Sequence, residues 1–459
     1  MVRLRDLGNW AGGNTPSKAN AAYWTEGTVP WVSPKDMKVN EITSSEDLIT
    51  ELALTDRRVS MVPEGSVLFV TRSGILSHTF PVAITKLPVT INQDLKALTP
   101  KAGVSPKYVA HAIRGASQRI LRECSKHGTT VASIETSRLL DFEIPLVGFN
   151  EQIEIVAELE KQFSRLDEAV ANLKRVKANL KRYKASVLKD AVEGRLVPTE
   201  AELARRENRS FETGEQLLQR IIETRRMEWK GRGKYKPPVD FDGAELEVLP
   251  EGWVWASIDQ LAAPESNSIT DGPFGSNLKS EHYQEAGPRV IRLQNIRDGE
   301  FADAYAHITA EHFERLRKHQ IYAGDLVIAS LGENPPRACI IPPSVGLSIV
   351  KADCIRFKPN PAISVEYLNA ALNCQPTRTR VKDVLHGIGR PRLSLGEIRA
   401  IALPIPPASE QARIDAEVDR RVSLIRNVEA EVDANLKRAQ SLRQATLSKA
   451  FAPFPGRED

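Results

Sequence analysis

A repeat at one fixed offset constrains this chain more than any other feature of its sequence. A shift of 259 residues takes Gly65 to Gly324, Asp94 to Asp353, Pro100 to Pro359, Ser105 to Ser364 and Tyr108 to Tyr367. The same shift takes His127-Gly128 to His386-Gly387, Pro145 to Pro404, Glu151-Gln152 to Glu410-Gln411 and Ile155 to Ile414. It still holds from Leu188 to Leu447 and from Ala191 to Ala450. Scattered identities arise by chance, but one offset held from residue 65 to residue 191 marks a tandem duplication. A chain of 459 residues would otherwise suggest about three domains. The repeat turns that into two similar units of about 200 residues with an insert between them.

Each unit begins with a mixed α and β part, residues 1–148 and 250–407. Ser66-Val-Leu-Phe-Val-Thr71 and Asp325-Leu-Val-Ile-Ala-Ser330 are short apolar runs just after a glycine and read as strands. The Pro- and Gly-rich stretches 30–34 and 334–343 read as loops, and 108–122 and 366–384 as short helices. The second part of each unit, residues 149–196 and 408–459, reads as a long helix. Leu159, Leu166, Leu173, Leu180 and Val187 recur every seventh residue, with Phe163, Val170, Val176 and Tyr183 between them. The second copy carries Ile414, Val418, Val422, Ile425, Val428, Val432, Leu436, Ala439 and Leu442. A sustained heptad with charged flanks predicts a coiled coil. Forty residues at 1.5 Å each make a rod of roughly 60 Å. One amphipathic helix cannot bury such a seam alone, so the two copies are expected to pair. The pairing seam is assigned to Leu159, Leu166, Leu173, Leu180, Val418, Ile425, Val432 and Leu436. An antiparallel pair would relate the globular parts by an approximate two-fold axis. The fold class expected is therefore α+β, with two similar modules separated by a pair of long helices. The insert, 197–249, reads as a charged helix over 201–229 with Leu217, Leu218, Ile221, Ile222 and Trp229 on one side, then a basic linker.

Composition excludes more than it assigns. A net charge of +4 from 63 basic and 59 acidic residues is too mild to argue for nucleic-acid binding by itself. Cys124, Cys339, Cys354 and Cys374 form no CxxC pair or disulfide framework, so a reducing cytoplasm is the expectation. The start of the chain shows no signal-peptide core, and no run of about 18 apolar residues predicts a membrane span.

Four fragments look catalytic or cofactor-binding and fail on their surroundings. Asn334-Pro335-Pro336 resembles an amino-methyltransferase signature, but Arg337 stands where an aromatic would stack on a flipped base. Asp167-Glu168-Ala169-Val170 resembles a helicase box but lies on the heptad, and the sequence has no phosphate-binding GxxxxGK[ST] loop. His307 and His312 are five residues apart, a spacing that does not share a helix face, so no metal pair is expected. Gly387-Ile-Gly389-Arg390 lacks the third glycine of a dinucleotide loop. A non-enzymatic reading remains. Two like modules on a rod could read two separated features, and duplex DNA repeats one face about every 34–36 Å. Basic residues cluster at Lys174-Arg175, Lys177, Lys181-Arg182, Lys184 and Lys189, and again at Arg378, Arg380, Lys382, Arg390 and Arg392.

Several motifs then resemble the specificity subunits of type I restriction-modification systems. They are Gly13-Asn-Thr-Pro-Ser-Lys18, Tyr23-Trp24, Val29-Pro-Trp-Val-Ser-Pro-Lys-Asp-Met37 and Gly272-Pro-Phe-Gly-Ser-Asn-Leu-Lys279. Val290-Ile-Arg-Leu-Gln-Asn-Ile296, Pro404-Ile-Pro-Pro-Ala-Ser-Glu-Gln411 and Leu442-Arg-Gln-Ala-Thr-Leu-Ser-Lys-Ala-Phe451 continue the series across the chain. The resemblance implies two target-recognition domains, each reading half of a bipartite site in double-stranded DNA. It implies no catalysis by the chain itself and no cofactor bound directly. Two methyltransferase subunits and the restriction subunits would be its partners in the cytoplasm, with no membrane involved. S-adenosylmethionine, ATP and magnesium would belong to those partners. The first rod copy ends Glu193-Gly-Arg-Leu-Val197, whereas the second turns to Ala452-Pro-Phe-Pro-Gly456, so a non-helical tail is expected.

Base-reading candidates on predicted loops are Lys35, Asp36, Arg72, His127 and Thr129 in the first module, and Gln294, Asn295, Arg297, Arg390 and Arg392 in the second. Asp36 aligns with Asn295 and Thr129 with Ile388, as two modules with different half-sites would require. The competing reading is a coiled-coil scaffold whose globular ends bind proteins and not DNA.

Overall fold

Fully buried apolar runs build the centre of each module. Val67-Leu-Phe-Val70 and Leu326-Val-Ile-Ala329 are buried at every position, as suits strands covered on both faces. The computed structural model describes the chain except residues 57, 127–130, 231–233, 242, 244, 245, 388 and 453–459. The expected non-helical tail falls largely in 453–459, outside the described residues. The chain divides into two units, residues 1–176 with 431–459 and residues 177–430.

In the first unit a five-stranded sheet runs in the order Gly8–Gly12, Leu95–Pro100, Val67–Val70, Val82–Thr85, Glu41–Ile42. A three-stranded sheet places Val29–Val32 between Asp47–Ile49 and Thr90–Ile91. In the second unit a four-stranded sheet runs Ile269–Thr270, Cys354–Phe357, Leu326–Ala329, Arg337–Ile340, and Ser348–Val350 lies between Gln284–Ile291 and Gln320–Ile321. The repeat extends to strand register. Val67 faces Leu98 as Leu326 faces Phe357. Trp31 pairs in parallel with Thr90 as Val290 does with Ile349. A one-residue slip would turn every side chain to the opposite face, so matching registers mean matching cores.

The two long helices are Phe149–Val192 and Ala408–Ala450. The first unit holds the start of one and the end of the other: Phe163 and Asp167 face Arg443, while Leu159 shares a core with Leu447 and Phe451. The second unit holds the complementary halves, with Val187 and Ala191 in one core with Ile414, and Glu200 paired to Arg413. Within each unit the helices run antiparallel. The fold is the α+β class expected. Among the described residues, no helix is long and apolar enough to cross a membrane.

Each helix is attached to its module by the same bonds. Ser105 N–H donates to Gln152 Oε1 at 2.8 Å, and Ser364 N–H to Gln411 Oε1 at 3.0 Å. Gln152 Nε2 donates to the Val147 carbonyl and Gln411 Nε2 to the Pro406 carbonyl, both at 2.9 Å. Tyr108 and Tyr367, fully buried, donate from their hydroxyls to the carbonyls of Pro145 and Pro404. These are the residues through which the repeat was recognised.

Several local expectations are corrected. Residues 30–34 are largely the strand Val29–Val32; Pro30 fits because its carbonyl, not an N–H, is used, accepting from Thr90 Oγ1 at 2.9 Å. Residues 334–343 contain the strand Arg337–Ile340. The helices expected over 108–122 and 366–384 are each broken. Pro106–Gly115 stops where a side chain at Gly115 would meet the Leu447 carbonyl at 3.1 Å, and Gln444 Nε2 donates to the Arg114 and Gly115 carbonyls. In the second module Pro376 starts a new helix after Val365–Asn373. The insert is two helices, Glu200–Glu207 and Gly214–Met227, each with a capping box, separated at Asn208 in the left-handed conformation. Its buried Glu200 pairs with Arg209 and Arg413 at 2.6 and 2.7 Å.

Of the seam residues, Leu159, Ile425 and Val432 are buried, and Leu166, Leu173, Leu180, Val418 and Leu436 are half-buried. Phe163, Val170, Val176 and Tyr183 move steadily outward, from 8% exposed at Phe163 to 39% at Val176 and 45% at Tyr183. A straight helix drifts about 20° per heptad against a 3.5-residue repeat, so Val176 and Tyr183 leave the seam. Leu442, at 57%, also lies outside it.

Candidate nucleic-acid interface

The candidates sort by what already holds them. Asp36 Oδ2 accepts from Ser33 N–H and Asp36 Oδ1 from Glu46 N–H, both at 2.8 Å. Asn295 is buried; its Oδ1 accepts from Arg292 N–H at 2.9 Å and its Nδ2 donates to the Ala302 and Ala304 carbonyls at 2.8 Å. Ser33 and Arg292 are themselves repeat equivalents, so Asp36 and Asn295 close one and the same turn. The same backbone N–H thus meets a carboxylate in one module and a side-chain amide in the other. Asn295, fully buried, is withdrawn as a base reader, whereas Asp36 is half-buried. Lys35 is exposed but bridges Glu46 and Asp47 at 3.1 and 3.0 Å. These two carboxylates hold its ammonium pKa above the usual lysine value.

Arg72, Arg392, Gln294, Arg297 and Arg390 are exposed. His127 and Thr129, with Ile388 opposite Thr129 in the repeat, lie outside the described residues. Arg72 Nε contacts Asp94 Oδ1 at 2.7 Å, and Arg392 Nη2 contacts Asp353 Oδ1 at 2.9 Å. Asp94 and Asp353 are repeat equivalents, but the arginines are not. Arg72 lies across a β-bridge from Ser133, and Leu331 across the equivalent bridge from Arg392. The surrounding bonds match: Ser73 N–H donates to the Ala132 carbonyl as Gly332 N–H does to that of Pro391, and Ile134 N–H to Thr71 as Leu393 N–H to Ser330. Arg392 also lies 5.7 Å from the centre of the Phe274 ring. Asp94 and Asp353 were visible as a repeated pair in the sequence but not as arginine holders, because their arginines come from different positions. The histidines once considered as ligands serve the backbone: His307 Nδ1 lies 2.7 Å from the Gly287 carbonyl and His312 Nε2 2.8 Å from that of Asn277.

Each unit also carries a cleft at the same place in the repeat, between the module helix and the long helices. The first, of about 900 Å³, is lined by Glu41, Lys107, His111, Arg114, Glu160 and Arg443. The second, of about 370 Å³, is lined by their equivalents Glu300, Glu366, Ala370, Asn373, Asp419 and Lys184. Charge differs between them. In the first, Lys107 pairs with Glu160 at 2.6 Å, and burial lowers the His111 pKa to about 4 and that of Arg114 to about 10. The second is acidic; burial raises the Glu300 carboxyl pKa, but Lys184 and Arg426, each 3.1 Å away, bring it net below the usual value.

Comparison with known proteins shows what the chain is similar to. The model for the "Type I restriction modification DNA specificity domain" matches residues 1–182. Residues 1–182 are thus similar to the DNA specificity domain of type I restriction-modification systems. The resemblance drawn from the motifs is borne out. The chain is 43% identical over 158 residues to the specificity subunit of the type I restriction enzyme EcoR124I/EcoR124II of Escherichia coli, covering 34% of this chain and 39% of that protein. It is 31% identical over 175 residues to the MjaIX specificity subunit of Methanocaldococcus jannaschii, covering 38% of each. These matches span about two fifths of the length of those relatives. A solved chain from work on complex assembly and conformational transition of the type I R-M system shares the fold, with a TM-score of 0.62 and 17% identity over 98% of this chain and 96% of that one.

Proposed function

We propose that this chain is the DNA sequence-specificity subunit of a type I restriction-modification complex. Each module reads one half of a bipartite site in double-stranded DNA, and the long helices set the separation of the halves. The chain catalyses nothing itself. It positions two methyltransferase subunits and the restriction subunits, which bring S-adenosylmethionine, ATP and magnesium, and it works in the cytoplasm. One observation carries this reading: two modules with the same strand register are attached to two helices by the same glutamine bonds. A duplicated module on a duplicated support suits a target with two similar, separated parts.

Exposed Arg297 and Arg390 suit phosphate contacts, which fix register without reading sequence. Neutralising phosphates releases counterions, so affinity falls linearly with salt on a log–log scale. The complex of this chain with its methyltransferase subunits should shift duplex DNA in a gel, and the shift should weaken as salt rises from 50 to 200 mM. A complex that assembles but binds no DNA at either salt would leave the chain as a protein-binding scaffold.

A further inference from the structure

We propose that Arg72 and Arg392 each read a guanine, one in each half-site, from one shared place in the fold. This inference rests on the reading of the chain as a DNA-specificity subunit. The two arginines occupy opposite sides of one bridge pair, Arg72 facing Ser133 and Leu331 facing Arg392. The aspartate that receives the guanidinium is nonetheless the same repeat position, Asp94 in one module and Asp353 in the other. The carbonyl of that aspartate is held the same way in both, accepting from the backbone and hydroxyl of Thr71 in one module and of Ser330 in the other, although Asp353 alone has a left-handed backbone, with φ of 67°. A guanidinium reaches that point from either side of the bridge, so the place is common to both modules while the residue position is not.

The carboxylate indicates what such an arginine binds. The pair is close to neutral, and a phosphate approaching it would meet the aspartate as well as the arginine. The free fork of the guanidinium is a different matter. Arg72 gives one of its five N–H donors, on Nε, to Asp94, and Arg392 meets Asp353 as an ion pair through Nη2; the remaining donors of each can form the paired bonds that match O6 and N7 of guanine, a neutral acceptor pair. Asp94 is itself steadied, its Oδ2 accepting from Asn92 Nδ2 at 3.3 Å, and both arginines keep about half of their side-chain surface in solvent, 59% and 47%. They are held in place and still accessible.

The test uses the full chain assembled with its methyltransferase subunits. The methylated motif is mapped first, and dissociation constants are then measured on duplexes carrying each of the four bases at every guanine of that motif. Arg72→Ala should lose about 5- to 150-fold of guanine preference at one position in one half, and Arg392→Ala the same in the other half. The untouched half, still read normally, shows in each case that the chain is folded. Arg72→Lys keeps the charge but not the fork and should not restore the preference. A motif lacking guanine in either half, or unchanged preferences in both alanine variants, overturns the proposal. So does a loss equal on all sequences with a salt slope smaller by about 0.9, the mark of one phosphate contact. A wild-type complex without any sequence preference would instead overturn the specificity-subunit reading itself.

Discussion

Gln152 offers the sharpest test of how a module is held on its helix. It is 1% exposed, and its side chain bonds Ser105 N–H at 2.8 Å, the Gly103 carbonyl at 3.1 Å and the Val147 carbonyl at 2.9 Å. Leucine fills a similar volume and makes none of these bonds. A typical bond contributes about 1 kcal/mol net, and a stranded buried donor costs about 1–3 kcal/mol. The Ser105 N–H has no route to water, because Ser105 is itself buried; the two carbonyls lie on half-buried or exposed residues and can be hydrated. Gln152→Leu should therefore destabilise the first unit by about 3 kcal/mol. For a unit of this size that is a fall in Tm of about 6–12 °C. Gln411 makes two of the equivalent bonds, to a Ser364 that is only half-buried, so Gln411→Leu should cost about 1–2 kcal/mol. Calorimetry gives the two shifts, and amide exchange locates them at Ser105 and Ser364. If Gln152→Leu moved Tm by less than about 1 °C and left the Ser105 amide protected, the bonds would not be what holds the module to the helix.

Two further outcomes follow from burial. Burial raises the Asp415 carboxyl pKa to about 6, against the opposing donation from Ser364 Oγ at 2.5 Å. A folded pKa above the unfolded value gives stability that is complete below about pH 4 and lost as pH rises through about 6, so Asp415→Asn should match the wild type in thermal unfolding at pH 4 and exceed it at pH 8; an equal gain at both would contradict this. Leu159→Ala should cost about 2–5 kcal/mol in urea unfolding, whereas Leu442→Ala, at a site 57% exposed, should stay within about 0.5 kcal/mol; similar losses at both would restore Leu442 to the seam.

Much of this fold was legible because duplication makes a sequence its own comparison. Ser105 with Ser364, Tyr108 with Tyr367 and Gln152 with Gln411 stood out as identities; the serine–glutamine bonds join each module to its helix, and each tyrosine ties down the segment that leads into it. The buried strand runs at 66–71 and 325–330 were equally plain, since strands covered on both faces carry no polar alternation. Proline misled at 30–34, where its missing N–H falls at an unused ladder position. Helix breaks at Ala116 and Cys374 were hidden because contacts with other elements, not propensity, set the first of them. The interface was the least legible. Asp36 and Asn295 read as candidates from their chemistry, but their side chains close a turn that only the folded backbone reveals. The Asp94 and Asp353 cradles could not be inferred, because the arginines that fill them stand at unrelated repeat positions.

Exchange of one module tests the central claim most directly. Residues 1–148 would be replaced by the corresponding part of another specificity subunit, and methylated adenines mapped genome-wide in cells that carry the methyltransferase subunits. The account predicts that one half of the methylated site changes to that of the donor while the other half and the spacing stay as they were. Change in both halves, or in neither, would contradict two modules that each read their own half-site.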